Sequence, residues 1–570
     1  MFWFALKVAG ILAGKVWVKR SSDDMLIIRS PAALLQRAVP TVPGRRAREE
    51  LRTPHCPASR SEILYLMPSV CESSSIPPIS RGGAVLDPSA TNPRRSYGVS
   101  WLIPLLGALA LGLWGLSRQG SVWRDEAATW QVATRSTPEI WHLLQNIDVV
   151  HGAYYLLMHA LFECFGAGTT TLRLPSVIAT GIAAACVGRI GERLAGTWVG
   201  IAGGVAFVLL PAVQFHMQEG RPYAFVAAGA AIATLLLVMA LQQRGRAVYW
   251  AAYGVAVTVS GLLNWLSLMM LSAHMATLLW VRAGRGVWKP WTVVSSAVVI
   301  CVLPLILFSR GQSGQVSWIP PLTWHMLIGP AILFLIGGTG ALLDPSRGVG
   351  RLSAAAVGLP LLMIPQLGLI GLSLIQPLYL ERYVLFSELG LALLIGSLIG
   401  SALQAVRSRR PGLADLVVPV VVVFATVGLL PQLLAKRSPA SRVDDVRAVA
   451  ADVQRLKEAG NVVLFIPSAR RDTKSVTPDD FSGLRDIALA QSPEASGTLK
   501  GVEADPGRIR TAMLAEQRIL LVTDVPGIPV NTERDKTKMS VLKQYFAIVA
   551  VKRTHGRQVR VYERLGPSRQ

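Results

Sequence analysis

"GAYYLLMHALFECFG" (residues 152–166) is the stretch on which the fold turns. It is apolar enough to pass for a membrane span. Yet it falls short of the ~20 residues a helical crossing needs and carries His159 and Glu163. Around it, residues 98–434 hold longer apolar segments near 98–117, 173–190, 198–214, 222–242, 247–262, 265–281, 291–308, 325–343, 353–375, 384–403 and 413–433. Loop charge decides how 152–166 is counted, because basic residues favour the cytoplasmic side. Suppose the stretch lies on the membrane surface and the N-terminal tail is cytoplasmic. The cytoplasmic loops then carry Arg189/Arg193, Arg244/Arg246, Arg282/Arg285/Lys289, Arg347/Arg351 and Arg407/Arg409/Arg410. Opposite loops keep only isolated cations such as Arg221, Arg310 and Arg382. Counting 152–166 as a span inverts every later loop and destroys that asymmetry. It therefore reads as an interfacial helix, which gives about eleven spans, a long first outer loop (118–172) and a C-terminus outside.

Composition agrees with a polytopic membrane protein. Hydrophobic residues make up 51% of the 570, charged residues only 16%, and mean hydropathy is +0.43, where soluble chains carry about 25% charge. The net charge is +23, and the basic residues sit largely in short loops and the N-terminal tail. No basic stripe with interleaved aromatics accompanies it, so it reads as topology information and attraction to anionic membrane lipids rather than nucleic-acid binding. The five cysteines (Cys56, Cys71, Cys164, Cys186, Cys301) form neither a disulfide framework nor a zinc pattern.

Residues 1–97 are rich in Arg, Ser and Pro and read as a basic, disordered cytoplasmic tail, or as sequence ahead of the true initiator. "GILAGK" (10–15) lacks phosphate-loop spacing. The cytoplasmic loops are too short for a nucleotide-binding domain, which disfavours a nucleotide-sugar enzyme. Residues 436–570 change character: helix-like "RVDDVRAVAADVQRLKEAG", strand-like "NVVLFIP", a helix near 505–515, then "RILLVTD" and "YFAIVAVKR". That alternation reads as a small extracytoplasmic α/β domain, in which "TPDD" (477–480) is a helix start rather than a metal site.

With this topology the informative polar residues share one side. They lie in "WRDE" (123–126), "DVVHGAYYLLMH" (148–159), "TTLRLPS" (170–176), "QFHMQEGRPYAF" (214–225), "LLNWLS" (262–267), "VSWIPP" (316–321) and "PLYLERYVLFS" (377–387). The order "RDEA", "HGAYYLLMH…FG", "LRLPS", "QEGRPYAF" and "ERYVLFS", over roughly residues 98–403, resembles the bacterial family 39 glycosyltransferases. Those are similar to protein O-mannosyltransferases and to the aminoarabinose transferase of lipid A. Two positions depart from the pattern. His151-Gly152-Ala153 stands where many members have His-Pro-Pro, and Asn264 stands where a His is common.

The resemblance implies a GT-C fold and an inverting transfer of a sugar, with mannose the first candidate. The donor would be a polyprenyl-phosphate sugar and the acceptor an extracytoplasmic hydroxyl of a protein, glycan or lipid. Asp125 is then the expected general base, since an acceptor hydroxyl needs its proton removed as it attacks; substrate positioning or a helix cap is the plainer role. Glu126, placed with it among the catalytic candidates, either shares its pocket or only orders the loop. Arg221 and Arg382 suit the lipid phosphate, because a planar guanidinium can hold its oxygens bidentately; interfacial snorkelling is the alternative. Tyr223 and Tyr383 add hydroxyl donors or belong to an aromatic belt. Arg173 reads as a structural tie for the far end of the first loop.

His151, His159, Asn264 and Trp318 are candidate acceptor or donor contacts, with Trp318 equally an aromatic anchor. No cofactor is expected. His151 and His159, with Asp125, Glu126 and Glu219, could hold a divalent metal, although their spacing matches no ligand signature. The competing reading is a transporter or flippase of lipid-linked sugar. That reading places working charges in mid-span, whereas these cluster in loops and at span ends.

Overall fold

The computed structural model describes residues 99–116, 120–243, 246–312, 314, 317–346, 351–458, 461–525, 530 and 532–566. The expectation for the tail, 1–97, falls outside the described residues. In hydrocarbon every backbone group must be paired within its own segment, and the long apolar runs accordingly form helices. In chain order these are α1 (Val99–Leu113), α2 (Arg124–Ala133), α3 (Thr137–Asn146), α4 (Gly152–Phe165), α5 (Thr169–Ala195), α6 (Thr197–Leu209), α7 (Tyr223–Gln242), α8 (Ala247–Leu263), α9 (Met269–Trp280), α10 (Arg285–Gly311), α11 (Ile328–Leu342), α12 (Ala354–Ser373), α13 (Glu388–Arg409) and α14 (Val417–Lys436).

Among the described residues, seven helices are long and apolar enough to cross a membrane: Thr169–Ala195, Tyr223–Gln242, Arg285–Gly311, Trp324–Leu342, Ala354–Ser373, Glu381–Arg409 and Pro411–Lys436. Shorter apolar helices occupy Val99–Leu113, Val149–Phe165, Thr197–Leu209, Ala247–Leu263 and Trp265–Trp280. The chain is thus an all-α polytopic membrane protein carrying a small α/β domain. Helices α5 and α7 form its centre, with 67% and 61% of their apolar windows buried, whereas Pro411–Lys436 is 11% buried and turns Val423, Phe424 and Val427 outward. Such faces suit lipid rather than water. Helices α5 and α6 can touch because glycines line the seam: a Cβ on Gly200 would sit 2.3 Å from the Gly188 carbonyl oxygen. Small residues at such crossings let backbones approach.

Past α14 the period shifts from helical to alternating. Helices α15 (Val446–Leu456), α16 (Asp472–Val476), α17 (Pro506–Leu514) and α18 (Glu533–Tyr545) surround strands β1 (Val462–Ile466), β2 (Arg485–Asp486), β3 (Leu489–Gln491), β4 (Val502–Glu503), β5 (Arg518–Asp524), β6 (Phe546–Thr554) and β7 (Arg557–Arg564). The main sheet runs β2-β1-β5-β7-β6; β1 is parallel to β2 and β5, while β7 is antiparallel to β5 and β6. "VVLFI" of β1 is wholly buried, as a central parallel strand covered on both faces requires. Val462, Leu464 and Ile466 meet Ile509, Met513 and Val541 on one face. Val463 and Phe465 meet Val449 and Val453 on the other. "TPDD" falls in a 3-10 turn, Pro478–Phe481.

Candidate functional site

Helix α2 starts where extended Trp123 (φ −97°, ψ 167°) gives way to Arg124, which places Asp125 and Glu126 in its first turn. Carboxylates are favoured there by the positive end of the helix dipole. The two side chains part company at once. Glu126 is fully buried: Arg173 donates from Nε to Oε1 at 2.8 Å and from Nη2 to Oε2 at 2.7 Å. The Gly220 amide adds a bond to Oε1 at 3.0 Å. Arg173, also fully buried, spends its remaining reach on the Ser121 carbonyl at 2.6 Å. Glu126 is thereby set apart from Asp125, with which it is grouped as a catalytic candidate. With both oxygens engaged and no exposure, it ties α2 to α5 and to the turn before α7. Glycine is needed at 220 because a Cβ there would fall 2.4 Å from Leu172 Cγ.

Asp125 instead faces an opening, with its side chain 22% exposed. Arg382 donates from Nη1 to its Oδ2 at 2.7 Å. Arg382 leads the 3-10 turn Glu381–Ser387 ahead of α13, and its guanidinium lies 5.7 Å from the Tyr223 ring, 5.8 Å from Trp318 and 5.9 Å from Tyr383. Arg221, just before α7, donates from Nη1 to the Asp125 carbonyl at 3.4 Å and from Nη2 to His151 Nε2 at 2.9 Å. The Nε atoms of Arg221 and Arg382 and the Tyr223 hydroxyl are buried without a hydrogen-bond partner among the described residues. Guanidinium and hydroxyl donors gathered beside one carboxylate suit an oxygen-rich anion.

Behind Arg221 stands a relay. Because Arg221 can only donate, His151 Nε2 accepts and the ring proton resides on Nδ1, 3.4 Å from Asp148 Oδ1. Tyr155 donates to Asp148 Oδ2 at 2.8 Å. Asp148 itself adopts the left-handed region (φ 59°), which aspartate tolerates better than most residues. Burial works against its charge, but the nearby His151, with Arg221 and the Tyr155 hydroxyl, outweighs it and holds the carboxyl down at about 2. Burial and the Arg221 charge lower His151, so imidazole stays neutral at neutral pH. Burial opposes the charge on Glu219 too; His216, Arg442 and Arg221 overcome it and keep that carboxyl below its usual range. Glu219 pairs with His216.

Protonation of His151 would abolish the acceptor that Arg221 needs. A depressed histidine contributes stability above its unfolded value of 6.5, and that contribution falls away as pH drops through the folded value. Acidification from about pH 7 to about pH 5 should therefore lower both activity and thermal midpoint of the wild type. In His151→Asn, whose amide can accept from Arg221 and donate to Asp148, the midpoint should lose most of that acid dependence. Parallel pH profiles of the two proteins would refute this account.

The structure thus gathers Asp125, His151, Arg221, Tyr223, Trp318, Arg382 and Tyr383. Three expected residues serve elsewhere. His159 donates from Nδ1 to the Ala133 carbonyl at 3.0 Å and accepts from Thr137 at 3.3 Å, fastening α4 under the α2–α3 junction. Asn264 caps the turn Trp265–Leu268 by accepting from the Leu266 amide at 3.1 Å, and reaches the site only through the Tyr383 carbonyl at 3.3 Å. Glu126 is the third. Among the described residues no three His, Cys, Asp or Glu side chains are grouped to hold a metal ion. Sequence reasoning passed over Asp148 and Tyr155; the signal was an acid three residues before His151 and a tyrosine four after it.

No protein-family model matches this sequence, and no curated protein matches it. Its fold matches solved structures. ArnT from Cupriavidus metallidurans in the apo state aligns at TM-score 0.54 and 13% identity, over 81% of this chain and 97% of that one. The same protein bound to undecaprenyl phosphate aligns at TM-score 0.51 and 13% identity, over 81% and 98%. The oligosaccharyltransferase AglB from Archaeoglobus fulgidus, in complex with an inhibitory peptide and a dolichol-phosphate, aligns at 0.48 and 10%, over 79% and 72%. The architecture is the GT-C fold, and the resemblance holds at that level.

Proposed function

We propose that the chain is an integral-membrane glycosyltransferase that moves a sugar, mannose in the first instance, from a polyprenyl-phosphate donor to an extracytoplasmic hydroxyl with inversion. The observation that carries the reading is Asp125 held between Arg382 and Arg221, each with an unsatisfied buried Nε–H beside it. A partly open carboxylate next to spare guanidinium donors matches the two demands of the reaction. The acceptor oxygen loses its proton to Asp125 as it bonds to the anomeric carbon. The bond from that carbon to the phosphate oxygen breaks, and the charge that develops on the leaving phosphate falls to Arg221 and Arg382. Tyr223 and Tyr383 line the same space, and Trp318, 60% exposed, offers a face for the sugar or the lipid entry.

The shared fold supports this reading, since ArnT is known with undecaprenyl phosphate bound. Loop charge then puts residues 1–97 in the cytoplasm, 98–434 in the membrane and 436–570 outside the cell membrane. Protein, glycan and lipid acceptors all offer the required hydroxyl. The test is transfer of label from synthetic polyprenyl-phosphate sugars, mannose first, by membranes containing the full chain. Label should enter a product of opposite anomeric configuration to the donor. Retained configuration, or no transfer from any polyprenyl sugar, would overturn the proposal.

A further inference from the structure

We infer that Asp444, from the segment that enters the C-terminal domain, is a positioning residue that holds Asp125 in place by capping helix α2 from outside that helix. This rests on the reading of Asp125 as the base. Helix α2 has no side-chain cap of its own, for Trp123 supplies none. Asp444 Oδ1 instead accepts from the Arg124 amide at 3.0 Å, and Oδ2 accepts from Arg124 Nε at 3.2 Å. An N-terminal amide left without an acceptor destabilises a helix start, and here the acceptor arrives from far along the chain. Asp444 is fully buried. Burial opposes its charge, but Arg557 and Arg124 prevail and keep the carboxyl below its ordinary range.

The cap is itself braced. Arg557, also fully buried, donates from Nε to Asp444 Oδ2 at 2.9 Å and reaches Asp472 at 2.6 and 2.7 Å and Thr473 at 2.6 Å. Those last two residues open α16, which packs against α2. The backbone is fixed as well. The Val446 amide donates to the Val122 carbonyl at 2.7 Å, and the Asp445 amide to His555 at 3.1 Å. The β6–β7 turn presses so closely that a Cβ on Gly556 (φ +74°) would lie 2.1 Å from the Val443 carbonyl oxygen. The first turn of α2 is therefore gripped from two sides. Arg173 holds Glu126 from the membrane bundle, Asp444 holds Arg124 from the C-terminal domain, and Asp125 projects between them.

The test compares full-length wild type, Asp444→Asn and Arg557→Lys. Asp444→Asn keeps an acceptor shape but surrenders the charge both arginines need; Arg557→Lys keeps that charge and loosens the fork. Each should lower kcat for sugar transfer by about tenfold, as a small misplacement of a reacting group does. The KM for the polyprenyl-phosphate sugar should stay within about twofold, because the arginines of the site are not moved. Hydrogen exchange at amides 124–127 should quicken while α7 and β5 keep their protection, which also shows that each variant is folded. Unchanged exchange at 124–127, unchanged kcat, or a fall confined to KM would overturn the inference. Loss of protection throughout both variants would overturn it too, since Asp444 would then support the whole domain. Asp125→Asn runs alongside: full activity there defeats the base assignment, while the exchange result still reports on the cap.

Discussion

Asp125→Asn should lower sugar transfer by about 10²–10⁴-fold, the range that a positioned proton acceptor contributes, and should leave the protein folded. The side chain is 22% exposed and pairs with Arg382 at 2.7 Å. Asparagine keeps a hydrogen bond to that guanidinium through its carbonyl oxygen. What it cannot do is take a proton from an acceptor hydroxyl. Because that hydrogen bond and the side chain's shape are kept, the thermal midpoint in detergent should move little. Initial rates of label transfer together with that midpoint check both halves. Equal rates in the two proteins would remove Asp125 as the base.

Its neighbour should behave in the opposite way. Glu126→Ala leaves Arg173 charged in a fully buried site, with the Gly220 amide unpaired. Breaking such a pair from one side costs about 3–5 kcal/mol, so the single variant should accumulate poorly or unfold at a much lower temperature. Arg173→Met should do the same for the mirror reason. Replacing both, as Glu126→Leu with Arg173→Met, removes two buried charges together and should recover part of the loss. Recovery stays partial because the Gly220 amide and the Ser121 carbonyl lose partners. Thermal midpoints of the three variants decide the matter. A Glu126→Ala protein of wild-type stability but without activity would mean that Glu126 meets substrate after all.

The contrast shows where sequence reading reaches and where it stops. Hydropathy and loop charge, both local properties, are what argue for keeping 152–166 out of the span count. The matching helix, Val149–Phe165, is one of five apolar helices shorter than the seven long enough to cross a membrane, so length alone does not set it apart. That same parity gathers Asp125, Arg221 and Arg382 on one side, and the structure brings them into contact. Partner choice is another matter. Arg173 meets Glu126 across 47 positions and Asp444 meets Arg124 across 320. Nothing in "RDEA" tells which of two adjacent carboxylates turns inward. A helix places consecutive side chains about 100° apart, and only the packed surroundings decide which direction is buried.

Asn264 is hard to read for a related reason: a polar residue in a turn between apolar helices looks the same whether it meets substrate or caps a 3-10 turn. In the C-terminal domain, β1 and β5 are legible as apolar runs. Strand β7, "RQVRVYER", is not. Its apolar residues alternate with arginine and glutamine, and that pattern acquires meaning only beside β5 and β6. Arg557 at its start then supplies the brace for Asp444, a role no local pattern announces.

The central claim is that a polyprenyl-phosphate sugar is cleaved at Asp125 rather than carried past it. The direct measurement uses purified protein in vesicles loaded with a labelled polyprenyl-phosphate sugar and a hydroxyl acceptor, following free polyprenyl phosphate and lipid sidedness together. The account predicts release of polyprenyl phosphate in step with glycosylated product, lost in Asp125→Asn. Intact lipid-linked sugar appearing in the opposite leaflet, with no polyprenyl phosphate released, would contradict it.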